Sequence, residues 1–102
     1  MTNPLTKALR PIHPGEILRE DVLPALGRPK TEIARLLGIS RQTLYDILNE
    51  KQPVTAGMAL RLAKMFGGGA ESWINLQRNY DLRIAELEMG DVLAGIPRLE
   101  AA

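Results

Sequence analysis

The sequence predicts an all-α protein with a single domain of five helices. Its 102 residues, 45% of them hydrophobic, suffice for one compact core. Leu and Ala recur while only 4% of residues are aromatic, which favours helices over the Val-, Ile- and Tyr-rich runs of strands. Apolar residues also repeat at steps of three and four, the spacing of an amphipathic helix face. We expect residues 13–89 to form this domain, between an N-terminal arm (1–12) and a flexible tail (90–102).

The first helix is predicted to begin at His13. Pro14 suits the first helical position, and Glu16 favours the positive N-terminal end of the helix dipole. Pro24 together with Gly27 is expected to close or kink this helix. Its inward-facing residues are predicted to be Ile17, Leu18 and Val22.

Two short helices follow. The second is predicted from about Lys30 to Leu37, with Gly38 as its terminating residue. The third has Ser40 as its cap and runs to about Asn49. Their core-facing residues are predicted to be Ile33, Ala34 and Leu37 in the second helix and Leu44, Ile47 and Leu48 in the third.

The fourth and fifth helices complete the domain. Thr55 is predicted to cap the fourth helix, which ends at Gly67–Gly69, and the fifth covers 70–89. Residues at helical spacing are Met58, Ala59, Leu62, Ala63 and Phe66 in the fourth helix and Trp73, Leu76, Tyr80, Ile84 and Leu87 in the fifth. Ile74 and Leu82 lie off the fifth helix's stripe and leave apolar surface on a second side. Because a partner would cover that side, we expect a homodimer through residues 70–89.

The connection between the second and third helices has the features of a helix-turn-helix. Ala34 is small where the two helices would cross closely, and Gly38 can adopt the positive φ of a sharp turn. Ile39 and Leu44 would fill the angle between the helices. A purely structural αα-hairpin could also place a glycine in its turn, so this pattern leaves that alternative open.

Charge is distributed unevenly along the chain. Residues 28–64 carry seven basic and three acidic side chains, whereas residues 65–102 carry three basic and six acidic ones. Because DNA attracts basic surface and repels acidic surface, the middle of the chain is where a duplex could dock. A solvated surface helix is the alternative interpretation of the same charges.

Burying the apolar side of the third helix would expose its polar side. Arg41 can pair with the O6 and N7 atoms of guanine, and Gln42 with the N6 and N7 atoms of adenine. Ser40 and Thr43 can donate hydroxyl hydrogen bonds to phosphate, and Tyr45 could contact a thymine methyl group or a phosphate. These residues lie at the end of a recognition helix that enters the major groove. The remaining exposed residues are predicted to be Asp46 and Asn49.

Other classes of function find little support in the sequence. The chain contains no cysteine and a single histidine, His13, which is placed to start a helix rather than to catalyse. Neither a nucleophile elbow nor a phosphate-binding glycine loop occurs, so we expect no enzyme activity, no cofactor and no metal site. No stretch approaches the roughly 18 apolar residues of a membrane span, and no signal peptide is apparent. We therefore expect a soluble cytoplasmic protein.

Four segments resemble one family of antitoxins. The sequences HPGEIL (13–18), TEIARLLGISRQTLYDILN (31–49), MALRLAKMFG (58–67) and WINLQRNYDL (73–82) are similar to those of the HigA antitoxins, also called VapI. These antitoxins are a branch of the Cro/lambda-repressor-like helix-turn-helix superfamily. The resemblance covers about residues 11–82, and its last segment is not shared by the superfamily in general. The fold that it implies is lambda-repressor-like, with the helix-turn-helix in helices 2 and 3.

The resemblance implies a function and its partners. Proteins of this family bind a palindromic operator in double-stranded DNA and repress their own operon. They also neutralise, by direct binding, a HigB-type toxin, which is a ribosome-dependent mRNA-cutting ribonuclease. The residues that match the family's DNA-contacting helix are Ser40, Arg41, Gln42, Thr43 and Tyr45. This sequence departs from the family at Pro29, where a Ser or Thr normally caps the second helix, and at glycines 67–69, which replace a more polar link.

Two alternatives to an antitoxin remain at this point. A solitary helix-turn-helix repressor would have the same DNA-binding features without a toxin partner. A helical adaptor with a degenerate helix-turn-helix would bind only protein. Arg41 and Gln42 separate the adaptor from the other two, because only a DNA-binding protein needs their base-contacting chemistry.

Overall fold

The computed structural model describes residues 10–101, which form six helices and no strand. The all-α prediction is therefore confirmed. Residues 1–9 of the predicted N-terminal arm lie outside the described residues. Within residues 10–101, no helix combines the length and the apolar composition that a membrane span needs.

The first helix, α1, continues past Pro24 and ends at Gly27, the second of the two residues that were together expected to close or kink it. Pro24 is followed by two further helical residues, and α1 ends at Gly27, whose φ is 63°. A proline ring clashes with the carbonyl group four residues earlier in a regular α-helix. Here a wider π-helical turn, closed by a bond from the Leu23 N–H to the Leu18 carbonyl, lies just before the ring. The successive stretches of α1 are Pro14–Ile17, the π-helical Leu18–Val22, and Leu23–Leu26.

The next four helices begin where the sequence predicts. The Ser40 hydroxyl accepts from the Thr43 N–H at 3.0 Å, and the Thr55 hydroxyl accepts from the Met58 N–H at 3.2 Å. Both predicted caps are therefore confirmed. Pro29 occupies the N-cap of the second helix and makes no side-chain hydrogen bond there. The helices are α2, Lys30–Leu37; α3, Arg41–Leu48; α4, Ala56–Phe66; and α5, Ala70–Glu88.

The hydrophobic core lies between α1, α2, α3 and α4. All the inward residues predicted in α2 and α3 are buried, but in α1 only Leu18 is, while Ile17 and Val22 are half-buried. Trp73 and Ile74 of α5 pack on the core from outside. Among residues 10–101, twelve hydrophobic residues are buried in this core: Leu18, Leu23, Ile33, Ala34, Leu37, Leu44, Ile47, Leu48, Val54, Met58, Ala59 and Leu62.

The start of α1 packs directly on the end of α3. A Cβ atom at Gly15 would collide with the backbone carbonyl of Ile47, so only glycine permits this approach. His13 caps α1, because its Nδ1 accepts from the Gly15 N–H at 2.9 Å. The prediction that His13 starts a helix is confirmed, and its ring is buried.

The fifth helix, α5, packs against α4 but contributes little to the core. Its only fully buried residue is Gln77. The carboxyl-terminal end of the predicted apolar stripe is exposed at Leu87, and Leu82 is exposed as well. Part of the expected tail is also helical: α6, Gly90–Ala94, forms one turn in which the Leu93 N–H donates to the Met89 carbonyl at 2.8 Å.

Candidate nucleic-acid interface

The turn between α2 and α3 is closed by two backbone hydrogen bonds. The Ile39 N–H donates to the Ala34 carbonyl at 3.0 Å, and the Gly38 N–H donates to the Arg35 carbonyl at 3.1 Å. This is the Schellman pattern, which requires a left-handed residue, and Gly38 has a φ of 74°. Ala34 is buried beside the turn. The two helices therefore meet as the sequence predicts.

The end of α3 is closed by the same pattern without a glycine. The Glu50 N–H donates to the Ile47 carbonyl at 3.0 Å, and the Lys51 N–H donates to the Asp46 carbonyl at 2.8 Å. Glu50 has a φ of 62°, which is uncommon for a residue with a side chain. Its carboxylate lies 3.4 Å from the Arg19 guanidinium, which also donates to the Leu48 carbonyl at 2.6 Å. Arg19 of α1 thus holds the end of α3.

The two sides of α3 differ as predicted. Leu44, Ile47 and Leu48 are each at most 2% exposed. The opposite side is exposed at Arg41, Gln42, Tyr45 and Asn49, whereas Asp46 is half-buried. Because its apolar side is fixed in the core, α3 cannot turn its polar side away from solvent.

The predicted DNA-binding residues lie together at the start of α3. Ser40, Arg41, Gln42 and Tyr45 line one open hollow in the surface. Thr43 does not line it and is half-buried. The Ser40 hydroxyl donates to the Thr43 hydroxyl at 2.9 Å while accepting from its N–H. The Thr43 hydroxyl therefore keeps its own hydrogen for another acceptor.

Two residues near this hollow were not expected from the sequence to take part. The half-buried carboxylate of Asp46 accepts from the Gln42 amide nitrogen at 2.8 Å, which restricts the Gln42 side chain. One amide hydrogen and the amide oxygen of Gln42 still remain for a base edge. The ammonium group of Lys30 lies 5.9 Å from the centre of the Tyr45 ring, a cation–π distance. Lys30 precedes Tyr45 by a helix and a turn, so no local sequence pattern could have paired them.

Residues 18–73, more than half of the chain, match the helix-turn-helix family. Virulence-associated protein I of Dichelobacter nodosus is 43% identical over 86 residues, which span 84% of this chain and 80% of that protein.

Solved structures of two antitoxins resemble this one. Antitoxin GraA in complex with its operator is 42% identical, covers 99% of each chain and superimposes with a TM-score of 0.83. The Pseudomonas aeruginosa antitoxin HigA, solved with the higBA promoter, is 39% identical with a TM-score of 0.83. That similarity covers 89% of this chain and 100% of that one. Both structures contain promoter or operator DNA.

Proposed function

The chain belongs to the helix-turn-helix family and is similar to HigA-type antitoxins, and from this premise we propose that it represses its own operon and neutralises a toxin. The family consists of DNA-binding regulators rather than enzymes. The observation that carries the DNA-binding part is the exposed start of α3, with its apolar side fixed in the core. The operator-bound structure of its relative GraA supports the same conclusion.

We assign the residues of the hollow to two kinds of DNA contact. Arg41 and Gln42 would contact base edges in the major groove. Thr43 would donate its hydroxyl hydrogen to phosphate, and Ser40 would do the same once its hydroxyl turns from Thr43 to the phosphate. Tyr45 would contact a thymine methyl group or a phosphate. The adjacent positive charge of Lys30 favours phosphate binding on the same surface.

Replacing Arg41 tests this assignment. The Arg41→Ala protein should lose about 1 to 3 kcal/mol of specific binding to the promoter of its own gene, a loss of roughly 5- to 150-fold. The loss arises because a bidentate contact to guanine disappears while the rest of α3 stays in place. Fluorescence anisotropy with labelled promoter DNA, at one fixed salt concentration, measures it.

The matched control is Arg83→Ala. Arg83 is an exposed arginine of α5 whose guanidinium contacts Glu86, and it does not line the apolar groove formed by Ile74 and Leu82 on that helix. Its loss should therefore leave promoter affinity within about twofold. Equal affinities for the parent and Arg41→Ala proteins would remove Arg41 from base recognition. A parent protein with no preference for its promoter would favour the protein-binding adaptor.

We further propose that two copies bind the operator as a homodimer through α5. Ile74, Leu82 and Ala85 of α5 line an apolar groove together with Val54, and Leu82 is exposed. A second copy would cover this groove and place two α3 helices about 34 Å apart, one turn of DNA. Light scattering at micromolar concentration should give a dimer mass, and a monomer would count against this interface.

The proposed toxin is a HigB-type ribonuclease that cuts mRNA on the ribosome. The similarity to HigA supports it, and co-expression with the neighbouring gene tests it. The neighbour's product should co-purify with this chain, and its mRNA cleavage should stop at equimolar antitoxin. A neighbouring gene product that neither binds this chain nor cuts RNA would favour the solitary repressor.

A further inference from the structure

The C-terminal segment, residues 86–101, is an uncovered apolar surface. Every residue in it is exposed, including Leu87 at 75% and Leu99 at 87%. The radius of gyration of 17.1 Å exceeds the about 13 Å of a compact domain of this size. Its large hydrophobic residues are Leu87, Met89, Val92, Leu93, Ile96 and Leu99.

A second uncovered apolar surface lies between α2 and α4. This α2–α4 groove has a volume of about 500 Å³. Leu36 and Leu60, its apolar sides, are 50% and 65% exposed, although both belong to helices whose other faces are buried. The residues that line it are Leu36, Leu37, Leu60, Arg61, Lys64 and Met65.

The two surfaces are complementary in charge. The polar residues of the groove are the cations Arg61 and Lys64. The C-terminal segment carries four carboxylates and one cation, namely Glu86, Glu88, Asp91, Glu100 and Arg98. An acidic apolar segment and a basic apolar groove attract each other and bury hydrophobic area in the same contact.

We propose that the C-terminal segment of one copy of this chain packs into the α2–α4 groove of a second copy. Both halves of the contact are present in each chain, so a reciprocal exchange between two copies would form the contact twice and close as a symmetric dimer. The inference rests on the homodimer proposed above and adds to it a contact that is separate from the α5 face. It also accounts for two exposed apolar surfaces with one partner.

Disulfide crosslinking tests the contact directly. The chain has no cysteine, so Leu60→Cys in the groove and Leu93→Cys in the segment each introduce a single thiol. Mixing the two full-length proteins, distinguished by mass, and oxidising them should give mainly the mixed disulfide dimer. The control pairs Leu60→Cys with Glu20→Cys, an exposed position on α1. Equal yields from both mixtures would overturn the proposal.

Charge reversal tests its specificity. Arg61→Glu with Lys64→Glu in the groove, or Glu88→Lys with Asp91→Lys in the segment, should each weaken dimerisation about tenfold at low salt. A chain with all four changes should recover to within about threefold of the parent, because the charges again match. Sedimentation equilibrium without DNA gives the dissociation constants, and circular dichroism checks folding.

The outcomes distinguish a failure of this contact from a failure of the homodimer. A monomeric parent protein would overturn the homodimer and this contact together. A dimeric parent whose dissociation constant is unchanged by the reversals would overturn only the exchange of the C-terminal segment. Additive weakening in the four-change chain would overturn the pairing of these two surfaces.

Discussion

The part formed by α1 to α4, residues 13–66, and the helix α5 are stabilised in different ways. The first contains every buried hydrophobic residue in the described part of the chain, whereas the one fully buried residue of α5 is a glutamine. Gln77 accepts from the Val54 N–H at 2.8 Å and donates to Asp81 at 2.9 Å. A helix of 19 residues is thus attached to the core by hydrogen bonds and by the half-buried rings of Trp73 and Tyr80.

This difference separates two roles. The exposed side of α3, which we propose contacts DNA, is held by the core of α1 to α4. Its orientation therefore does not depend on α5. The exposed apolar residues of α5 and α6 stabilise nothing within one copy, and exposed apolar area of this kind is typical of contact surfaces. A substitution in the first part should therefore affect folding. One at the joint, where Gln77 and Tyr80 of α5 contact Val54 and His13, should affect mainly the attachment of α5.

The largest expected effect is on the first part, at Gly15. A Cβ atom there meets the Ile47 carbonyl, and neither backbone can move without separating α1 from α3. Gly15→Ala should therefore lower the free energy of unfolding by about 3 kcal/mol. Urea unfolding followed by the fluorescence of Trp73 measures it.

The same substitution at Gly57 is the control. Gly57 lies in α4, and a Cβ atom there would approach only the flexible end of Arg61 at 3.4 Å. Gly57→Ala should leave stability unchanged or raise it by up to about 1 kcal/mol. Similar changes in stability at both positions would show that the contact with the Ile47 carbonyl does not decide the effect at Gly15.

A smaller effect is expected at the joint. Gln77→Leu leaves the buried N–H of Val54 without its acceptor, which costs about 1 to 3 kcal/mol. Amide hydrogen exchange should become faster in α5 while α2 and α3 stay protected. Asn79→Leu, an exposed change on the same helix, should have little effect. Uniform loss of protection would mean that α5 is part of one cooperative unit with the core.

The sequence predicts well where one local rule decides the structure. Periodicity predicts the buried faces of α2 and α3, the hydroxyl of Ser40 predicts a cap, and Gly38 predicts the turn. Prediction from the sequence fails where segments distant along the chain meet. Gly15 cannot be explained until the Ile47 carbonyl is known to lie against it, and Glu50 adopts a glycine's conformation while its carboxylate contacts Arg19.

The sequence contains an indication that the glutamine of α5 is buried, and the prediction of the inward face from apolar residues alone missed it. Gln77 follows Trp73 by four residues and precedes Tyr80 by three, so it lies on the predicted inward face. A polar residue at such a position needs a buried partner, and Val54 supplies it. At the start of α3 the sequence predicted the residues of the hollow, but not the contacts from Lys30 and Asp46 that hold two of them.

The smallest expected effect concerns His13, where the two parts meet. Its ring contacts Tyr80 of α5 edge-on, with centroids 4.9 Å apart. Burial lowers the pKa of His13 from its ordinary value of 6.5, although the Glu50 and Asp81 carboxylates oppose this. Protonation of Nδ1 would also remove the acceptor of the Gly15 N–H and add a positive charge at the positive end of α1.

The direction of the pH dependence follows from that lowered pKa. The unfolded chain takes up a proton at His13 at higher pH than the folded one, so stability is complete above pH 6.5 and declines as the pH falls below it. Urea unfolding at about pH 7.5 and about pH 5.5 stays above the range of ordinary carboxyl groups. The His13→Asn protein keeps a capping acceptor but does not titrate, so its stability should change less between these two values. An equal decline in both proteins would place the titrating group elsewhere, and the joint between α1 and α5 would then be insensitive to mild acid.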